Sequence, residues 1–212
     1  MSTTRAESAP SRRQEIIATA LELLAEEGYA GASLRKLAAR LGIAQPSLYH
    51  YFRTKEELVE QVLATYAGQM FFSLDPSRLP KRLEEVPRFI VGTALRVYER
   101  PSHASFVRVA ISVSRTHERF GTLMRRAFVD QATWGIQQIM RPFVEAGELS
   151  SGEALDLVRL LLNAIGLRLI EDQVMFAAHE PGPDFDRFVE FVVQVGETWV
   201  EARRARGPSP AD

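Results

Sequence analysis

The sequence contains no cysteine, which excludes structural disulfides and thiolate metal sites and is compatible with a reducing cytoplasm. It has no apolar run of the roughly 18 residues that a membrane span requires. Its first residues lack the apolar stretch of a secretory signal. Convincing alternation of apolar and polar residues, the signal of β-strands, is also missing. We therefore expect an all-α, cytoplasmic protein with no membrane partner.

The chain also lacks a strong charge of either sign, because its net charge is −1 over 212 residues. The cations are unevenly spread, however: seven cations and only four anions fall between Ser11 and Lys55. A mildly basic amino-terminal part agrees with nucleic-acid binding but does not establish it. No residue pattern typical of a metal site, a phosphate-binding loop or a nucleophilic serine is present. We expect no metal, no cofactor and no enzymatic activity.

The most informative stretch runs from Ser33 to Leu58, where helical spacing predicts two short helices, a tight turn and the start of another helix. Ser33 is suited to cap the first helix, because its hydroxyl can accept a hydrogen bond from an otherwise unpaired backbone N–H. Gly42 tolerates the left-handed conformation that ends a helix abruptly. In the second helix Leu48 and Phe52 face inward. This arrangement is typical of a helix-turn-helix that places its second helix in a DNA major groove.

The side chains left on the outside of these two helices are suited to DNA. Glutamine can pair with adenine and arginine with guanine, while hydroxyl and ammonium groups suit phosphate oxygens. For any single residue the alternative is a solvated face of a plain helical hairpin, but the combination favours DNA binding. The residues that we expect to contact DNA are Ser33, Arg35, Lys36, Gln45, Pro46, Ser47, Tyr49, His50, Tyr51 and Lys55.

This stretch resembles the DNA-binding domain of the tetracycline-repressor (TetR/AcrR) family. The matching residues are Arg35–Ala38, Leu41–Gly42, Gln45–Pro46, Leu48–Tyr49 and Lys55. The resemblance implies that Arg35 and Gln45 contact base edges and that Pro46 lies against a thymine methyl group. It also implies phosphate contacts, which would be made by Ser47, Tyr49, Tyr51 and Lys55. His50, Tyr51 and Ala44 depart from the pattern; Ala44 replaces an acidic base-contacting residue, so the operator sequence does not carry over.

The remainder of the chain shows only helical patterns and no repeat, so the predicted fold class is all-α with about nine helices. An amino-terminal three-helix head with the helix-turn-helix precedes a helical ligand-binding and dimerisation body. Pro142 should kink or split one body helix. The predicted domains are a disordered tail 1–10, the head 11–58, the body 59–204 and a disordered tail 205–212. The predicted body helices are one ending near residue 70, then 88–99, 104–114, 118–146, 150–178 and 184–204.

The last two helices, about 150–178 and 184–204, are the most apolar. A helix that is hydrophobic nearly all round is buried on several sides, and one small body has too little surface to bury both. We therefore predict a homodimer through a four-helix bundle, with two helices from each subunit. The family resemblance implies the same. Two recognition helices about one DNA turn apart, roughly 34–36 Å, would then read a palindrome.

The resemblance further implies an effector pocket among the middle helices of the body. Aromatic and methionine side chains at helical spacing are usually plain core, so this alternative stays open for each of them. Arg168 could instead pair with Glu171 or Asp172, pair across the dimer interface, or orient an anionic ligand. The candidate pocket residues are Tyr66, Met70, Phe71, Tyr98, Phe106, Phe120, Met124, Phe128, Trp134, Asn163 and Arg168.

Together these features predict a DNA-binding transcriptional regulator whose partners are a double-stranded DNA operator, a small-molecule effector and a second copy of the chain. In the leading hypothesis it is a repressor that the effector releases from a palindromic operator. One alternative is a constitutive DNA-binding dimer without a ligand. Another is a helical carrier or enzyme with a vestigial head, in which substitution of Gln45 or Tyr49 would leave function untouched.

Overall fold

The computed structural model describes residues 11–70, 78–114, 116, 118–126, 132–175 and 182–207. Within these residues the chain forms ten α-helices and no strand, which confirms the all-α prediction with one helix more than expected. A 3₁₀ turn, Leu83–Glu85, precedes α5, and a π-helical turn, Glu171–Met175, follows α9. The helices are α1 Arg12–Gly31, α2 Leu34–Leu41, α3 Gln45–Leu48, α4 Lys55–Met70, α5 Val86–Tyr98, α6 His103–Ser114, α7 Glu118–Arg125, α8 Ala132–Glu145, α9 Ser151–Ile170 and α10 Phe185–Arg204.

Local hydrogen bonds set the starts of two long helices. At α1 the Ser11 hydroxyl accepts the Gln14 N–H at 3.3 Å, and the Gln14 side chain accepts the Ser11 N–H at 2.7 Å. At α9 Ser150 and Glu153 exchange the same two bonds at 3.2 and 2.9 Å. Each pair satisfies backbone donors that a helix start leaves unpaired. Both capping boxes are visible in the sequence because their partners are only three residues apart.

The first apolar core joins the head to two body helices. Buried side chains of α1 to α4, among them Leu21 and Leu48, pack in one cluster with Phe106 of α6 and Phe120 of α7. α1 lies along α6, and α4 contacts α7. The predicted boundary at residue 58 falls inside α4, so apolar packing continues across it.

The second core is formed by α5, α8, α9 and α10. Its centre includes Val158, Leu161 and Ile165 of α9, which are almost inaccessible to solvent. Gly196 lets α10 come close to the start of α5: a Cβ atom there would lie only 2.8 Å from Cβ of Pro87. This core positions α9 and α10 side by side. The face of each helix that points away from the core is directed outward.

Several predicted body elements differ from the observed ones. The predicted helix 118–146 corresponds to α7, which ends at Arg125, and α8, which begins at Ala132; residues 127–131 between them lie outside the described residues. Pro142 does not split α8, which continues to Glu145. A proline removes one backbone hydrogen bond and crowds the preceding turn, and here the helix ends within the next turn anyway. The predicted helix 150–178 changes to a π-helical turn after Ile170.

Several predictions fall wholly or partly outside the described residues. These are the tail 1–10, residues 127–131 of the predicted helix 118–146 and residues 176–178 of the predicted helix 150–178. Of the predicted tail 205–212, residues 205–207 are described. There the Ala205 N–H still donates to the Glu201 carbonyl at 3.1 Å.

Candidate nucleic-acid interface

The first helix of the predicted pair is bounded at both ends as expected. The Ser33 hydroxyl accepts the Lys36 N–H at 3.2 Å and caps α2. Gly42 ends the helix with φ 63°, a left-handed conformation that costs glycine little. The Ile43 N–H then bonds back to the Ala38 carbonyl at 3.0 Å. These bonds make the tight turn that sets α3 at an angle to α2.

The second helix is short and continues as a turn. α3 covers only Gln45–Leu48, with Pro46 in the first turn, where a missing N–H costs no helical bond. The N–H groups of Tyr51 and Phe52 both donate to the Leu48 carbonyl at 2.9 Å. Leu48 and Phe52 have no exposed surface, as the sequence predicts. Because these two anchors are buried, the residues between and before them must face outward.

The outward surface of the turn is aromatic and polar. Tyr49 is 49% exposed and Tyr51 is 37% exposed, a large fraction for aromatic side chains. The Gln45 amide donates to the Tyr49 hydroxyl at 3.2 Å, which brings the predicted base-contacting and phosphate-contacting groups together. Arg35, Lys36, Pro46 and His50 are also exposed, while Ser33, Gln45, Ser47 and Lys55 are half-buried.

Two cations of the predicted set are engaged by the end of α1. The Lys36 ammonium lies 2.5 Å from the Glu27 carboxylate and donates to the Gly31 carbonyl at 3.0 Å. The Lys55 ammonium donates to the Tyr29 carbonyl and lies 4.1 Å from the centre of the Tyr29 ring. Burial lowers the pKa of Lys55. Neither ammonium group points freely at a ligand in this structure.

Tyr29 connects the head to the body. Its ring meets the Phe120 ring of α7 edge-on at 5.8 Å, and its hydroxyl donates to the Glu56 carboxylate at 2.8 Å. Burial, together with the hydrogen bond and the charge of Glu56, raises the pKa of Tyr29 to about 12. Phe120 itself is buried in the first core. The position of Lys55 is therefore coupled to α7 through Tyr29.

α4 begins with a variant of a capping box, in which two residues three apart exchange side-chain to backbone hydrogen bonds. The Thr54 hydroxyl accepts the Glu57 N–H at 3.1 Å. The Glu57 carboxylate, however, accepts the N–H of Arg53 at 2.8 Å, one residue before the expected donor. The bond therefore fixes the backbone between the recognition turn and α4.

The candidate pocket residues lie in different parts of the structure. Phe106, Phe120 and Met124 are buried in the first core, and Tyr66 stacks on Phe106 with ring centres 6.2 Å apart. Burial is the main cause that raises the pKa of Tyr66. The Met70 side chain lies outside the described part of the structure, as do Phe71 and Phe128. The four described residues fill space between the head and α6–α7.

A second group lies near the start of α6. The rings of Tyr98 and His103 meet edge-on at 4.3 Å, and the Tyr98 hydroxyl approaches the backbone of Gly166. Burial raises the pKa of Tyr98. His103 is 5% exposed, and within the described structure neither of its ring nitrogens completes a hydrogen bond, although Gln173 lies nearby. Burial lowers the pKa of His103 to about 4; Gln173 opposes this shift, and the charge of Arg100 adds to it.

Of the remaining candidates, Trp134 and Asn163 are on the surface and Arg168 is half-buried. Trp134 is 63% exposed, and Asn163 is exposed on the outer face of α9. Arg168 lies 3.4 Å from the Asp172 carboxylate and 2.9 Å from that of Asp184. Asp172 is one of the partners that the sequence offers for Arg168. The structure does not gather the predicted pocket residues around one space.

A groove of about 640 Å³ lies between α4 and α7. Its walls include Ala64, Ala67 and Gly68 of α4, and Thr122 and Leu123 of α7. An ion pair between Glu60 and Arg119 lies at the same contact. The small side chains of α4 leave space for this groove. Composition alone does not reveal the groove, because small residues are common on helix faces. Within the described ranges, no His, Asp and Glu side chains group to hold a metal, and no helix is long and apolar enough to cross a membrane.

Comparison with known proteins finds a family match that includes the helix-turn-helix. The profile of the family described as "Bacterial regulatory proteins, tetR family" matches residues 16–62. HTH-type transcriptional repressor KstR2 of Mycolicibacterium smegmatis is 38% identical over 61 residues, 29% of this chain and 30% of that protein. Tetracycline repressor protein class A from transposon 1721 of Escherichia coli is 37% identical over 79 residues, 37% of this chain and 35% of that protein. The chain thus matches about a third of the length of these relatives.

The fold over most of the chain is similar to that of solved regulators. One is the crystal structure of the transcriptional regulator FadR from Bacillus subtilis in complex with stearoyl-CoA. The two structures align with a TM-score of 0.63 and 16% sequence identity, over 89% of this chain and 96% of the other. At this level of identity the similarity concerns the fold and not the ligand.

Proposed function

We propose, from the premise that the chain belongs to the TetR family of transcriptional regulators, that it is a dimeric repressor which a small-molecule effector releases from a palindromic operator. The family is one of regulators rather than enzymes, so we assign no catalytic role. The proposal has three parts: DNA recognition by α2 and α3, dimerisation through α9 and α10, and effector binding in the body. The cytoplasm, where duplex DNA is accessible in bacteria, is the expected place of action.

DNA recognition is supported by the geometry of the recognition turn. The burial of Leu48 and Phe52 holds the turn against the head, and Gln45, Tyr49 and Tyr51 are left outside. An amide hydrogen-bonded to a phenol hydroxyl presents donors and acceptors on one surface, as base edges and phosphates require. This is the single observation that carries the proposal.

Selection of bound duplex from a random pool tests DNA recognition. The wild-type protein should enrich a palindromic sequence. Gln45→Ala should weaken binding and relax the preference at one position in each half-site, since a bidentate pair contributes about 1–3 kcal/mol of discrimination. Gln137→Ala, at an exposed position of α8, is the matched control and should bind as the wild type does. If no duplex sequence is enriched at moderate salt, the proposal is wrong.

Dimerisation is supported by the exposed face of α9 and α10. Leu167 of α9 and Phe191 of α10 are each 60% exposed. Val195 and Trp199 lie on the same face of α10 as Phe191, and they line a shallow depression of about 400 Å³. Large apolar side chains grouped on one surface favour a protein partner over water. A second copy of the same two helices would cover this face as a four-helix bundle.

Sedimentation at micromolar concentration tests the bundle. The wild-type chain should sediment as a dimer, and Leu167→Asp or Phe191→Glu should give a monomer because each change buries a charge at the interface. Ile111→Asp is the control, since Ile111 is also exposed but lies on α6, away from the proposed interface. A monomeric wild-type chain would contradict the dimer and with it the reading of a palindrome.

Effector binding is supported by the groove between α4 and α7. α4 carries Lys55 at its first turn and lines the groove with Ala64, Ala67 and Gly68, so a ligand there would touch the helix that leads to the head. A regulator of similar fold has been crystallised with stearoyl-CoA, which makes long-chain acyl-CoA a reasonable first probe. A ligand can shift the DNA-binding equilibrium only by its preference for one state, and about 1.4 kcal/mol of preference gives a tenfold change.

Titration of the selected duplex with and without ligand tests the switch. A molecule that raises the midpoint of thermal unfolding should also weaken operator binding. Ala64→Leu fills the groove and should reduce the effect of the ligand while operator binding without ligand persists. If every molecule that demonstrably binds leaves operator affinity unchanged, the chain is a constitutive DNA-binding dimer instead.

A further inference from the structure

We propose that a hydrogen-bonded network between the head and the body sets the distance between half-sites that the dimer accepts. This junction network consists of Glu22 of α1, Ser105 and Arg108 of α6, and Gln173 of the π-helical turn after α9. The inference rests on the proposed binding of a dimer to a palindrome. It assigns a specificity role to residues that lie outside the recognition turn and outside the groove between α4 and α7.

The strongest part of the junction network crosses from α6 to α1. The Ser105 hydroxyl donates to the Glu22 carboxylate at 3.0 Å and accepts a guanidinium N–H of Arg108 at 3.2 Å. A hydroxyl between a cation and a carboxylate makes two charge-assisted bonds, which are stronger than neutral ones. Ser105 is only 5% exposed, so water has little access to its hydroxyl. Arg108 also donates to the Gln173 carbonyl at 3.5 Å, a long bond that extends the network to the end of α9.

α9 takes part in both apolar cores, so its end links the proposed dimer face to the head. Its middle, including Leu161, lies in the second core, and Leu167 belongs to the exposed face proposed for dimerisation. Ile170 and Val174, in contrast, pack against the first core, which contains the head. α6 contacts both α1 and the π-helical turn after α9. The orientation of the dimer helices therefore reaches the head through α6.

Apolar packing alone would hold α1 on α6 without fixing their relative position closely. The first core joins the two helices through side chains such as Leu21 and Phe106. Hydrophobic attraction has no direction, and packed helices can slide against each other by small amounts. A hydrogen bond, however, weakens steeply when its length or angle changes. The bond from Ser105 to Glu22 therefore resists such sliding and fixes the direction of α1 relative to α9.

The direction of the head decides which half-site spacing fits a dimer. The recognition turn moves with α1, because both are packed in the first core. One inserted base pair moves the half-sites apart by about 3.4 Å and rotates them by about a tenth of a turn. A head held by directional bonds accommodates this change poorly, whereas a head that can slide accommodates it better. The junction network thus makes the dimer selective for one spacing.

Duplexes that differ only in half-site spacing test this role. The probes are the palindromic duplex selected by the wild-type protein and derivatives with one base pair inserted or removed at its centre. The spacing ratio is the affinity of the full chain for the selected duplex divided by its affinity for a derivative. Ser105→Ala should lower this ratio by at least about fivefold, the lower end of typical couplings between distant sites. A loss of stability that weakens binding to every duplex equally would leave the ratio unchanged.

Three further variants complete the experiment. Glu22→Leu removes the acceptor at the exposed end of the network and should lower the spacing ratio as Ser105→Ala does. Glu22→Gln keeps an oxygen that can accept the Ser105 hydroxyl and should retain most of the ratio. Ser112→Ala is the matched control on the same helix, because the Ser112 hydroxyl donates to the Val109 carbonyl of α6 at 2.9 Å and not to α1. The Glu22 variants change an exposed position and keep the test decisive should alanine at the buried position 105 prevent folding.

The inference is overturned if the wild-type protein binds every spacing equally well, or if the ratio is unchanged in Ser105→Ala or in Glu22→Leu. It is also overturned if Ser112→Ala or Glu22→Gln lowers the ratio as much as Glu22→Leu does. Failure of the proposed function is a different result, because the wild-type protein would then select no palindromic duplex at all.

Discussion

His103 should make the protein sensitive to acid, and its replacement should remove that sensitivity. The imidazole is buried at the start of α6 and edge-on to Tyr98, and neither ring nitrogen completes a hydrogen bond in the described structure, although Gln173 lies nearby. Burial of this kind disfavours the charged form. The pKa of His103 is accordingly lowered from 6.5 to about 4.

The sign of the effect follows from this lowered pKa. The folded state binds the proton less readily than the unfolded state, so His103 favours folding fully only above pH 6.5, the unfolded value. The contribution is lost as the pH falls from 6.5 toward about 4. At pH 5 the unfolded imidazole is almost entirely protonated and the folded one is mostly neutral. The resulting loss of unfolding free energy relative to pH 8 is about 2 kcal/mol.

His103→Phe isolates this contribution. Phenylalanine keeps an aromatic edge against Tyr98 but has no nitrogen to titrate or to leave unpaired. Both proteins are unfolded in urea at pH 8 and at pH 5. Because the same carboxylates titrate in both proteins, their contribution cancels when the two pH dependences are compared. On going from pH 8 to pH 5, the unfolding free energy of the wild type should fall by about 2 kcal/mol more than that of the variant. At pH 8 it should be about as stable, because replacing an unpaired buried polar group with an apolar one of similar shape costs little.

An equal pH dependence in the two proteins would refute this reasoning and would mean that His103 is hydrated or hydrogen-bonded in solution. His103→Leu provides a second variant for the same comparison, should phenylalanine prove too large for the site. Both variants keep every residue of the proposed DNA surface, so selected duplex should still bind at pH 8.

Three further changes test the packing of the head and body by urea unfolding. Leu48→Ala should cost about 2–5 kcal/mol and abolish duplex binding, because it empties a fully buried site under the recognition turn. Gly196→Ala should cost about 1–3 kcal/mol, because its new Cβ would lie 2.8 Å from that of Pro87. Gly135→Ala, where nothing lies within 4 Å, should instead be neutral or slightly stabilising and serves as its control. Ser33→Ala should cost about 0.5–2 kcal/mol through loss of the α2 cap; no loss would contradict the role of its hydrogen bond.

The helix starts are the most predictable part of this fold. The bonds of Ser11 with Gln14 and of Ser150 with Glu153 join residues three apart, so the sequence shows both partners. Gly42 is similar, because a glycine after an apolar stripe predicts the left-handed residue that the structure has. For the same reason Leu48 and Phe52, four apart, are predicted to be buried and are. Each inference needs only local geometry.

The candidate pocket could not be predicted in the same way. Phe106 and Trp134 look alike in the sequence, as aromatic residues at helical spacing, yet Phe106 is buried while Trp134 is 63% exposed. Their environments depend on which helix packs against which. Which helices pack together depends on how the connections between them run. Helical periodicity carries no information about those connections. The groove between α4 and α7 likewise exists only because two distant helices meet.

The sequence alone therefore determined the all-α class and the helix-turn-helix, because capping and apolar spacing act within a few residues. Tertiary structure decided which charges are free for a ligand. Lys36 and Lys55 are obvious phosphate ligands in the sequence, yet groups from the end of α1 hold both ammonium ions, while the Arg53 guanidinium group has no ion pair or hydrogen bond among the described residues. An ion pair depends on distances between segments far apart in the chain, and those distances exist only once the two cores have assembled.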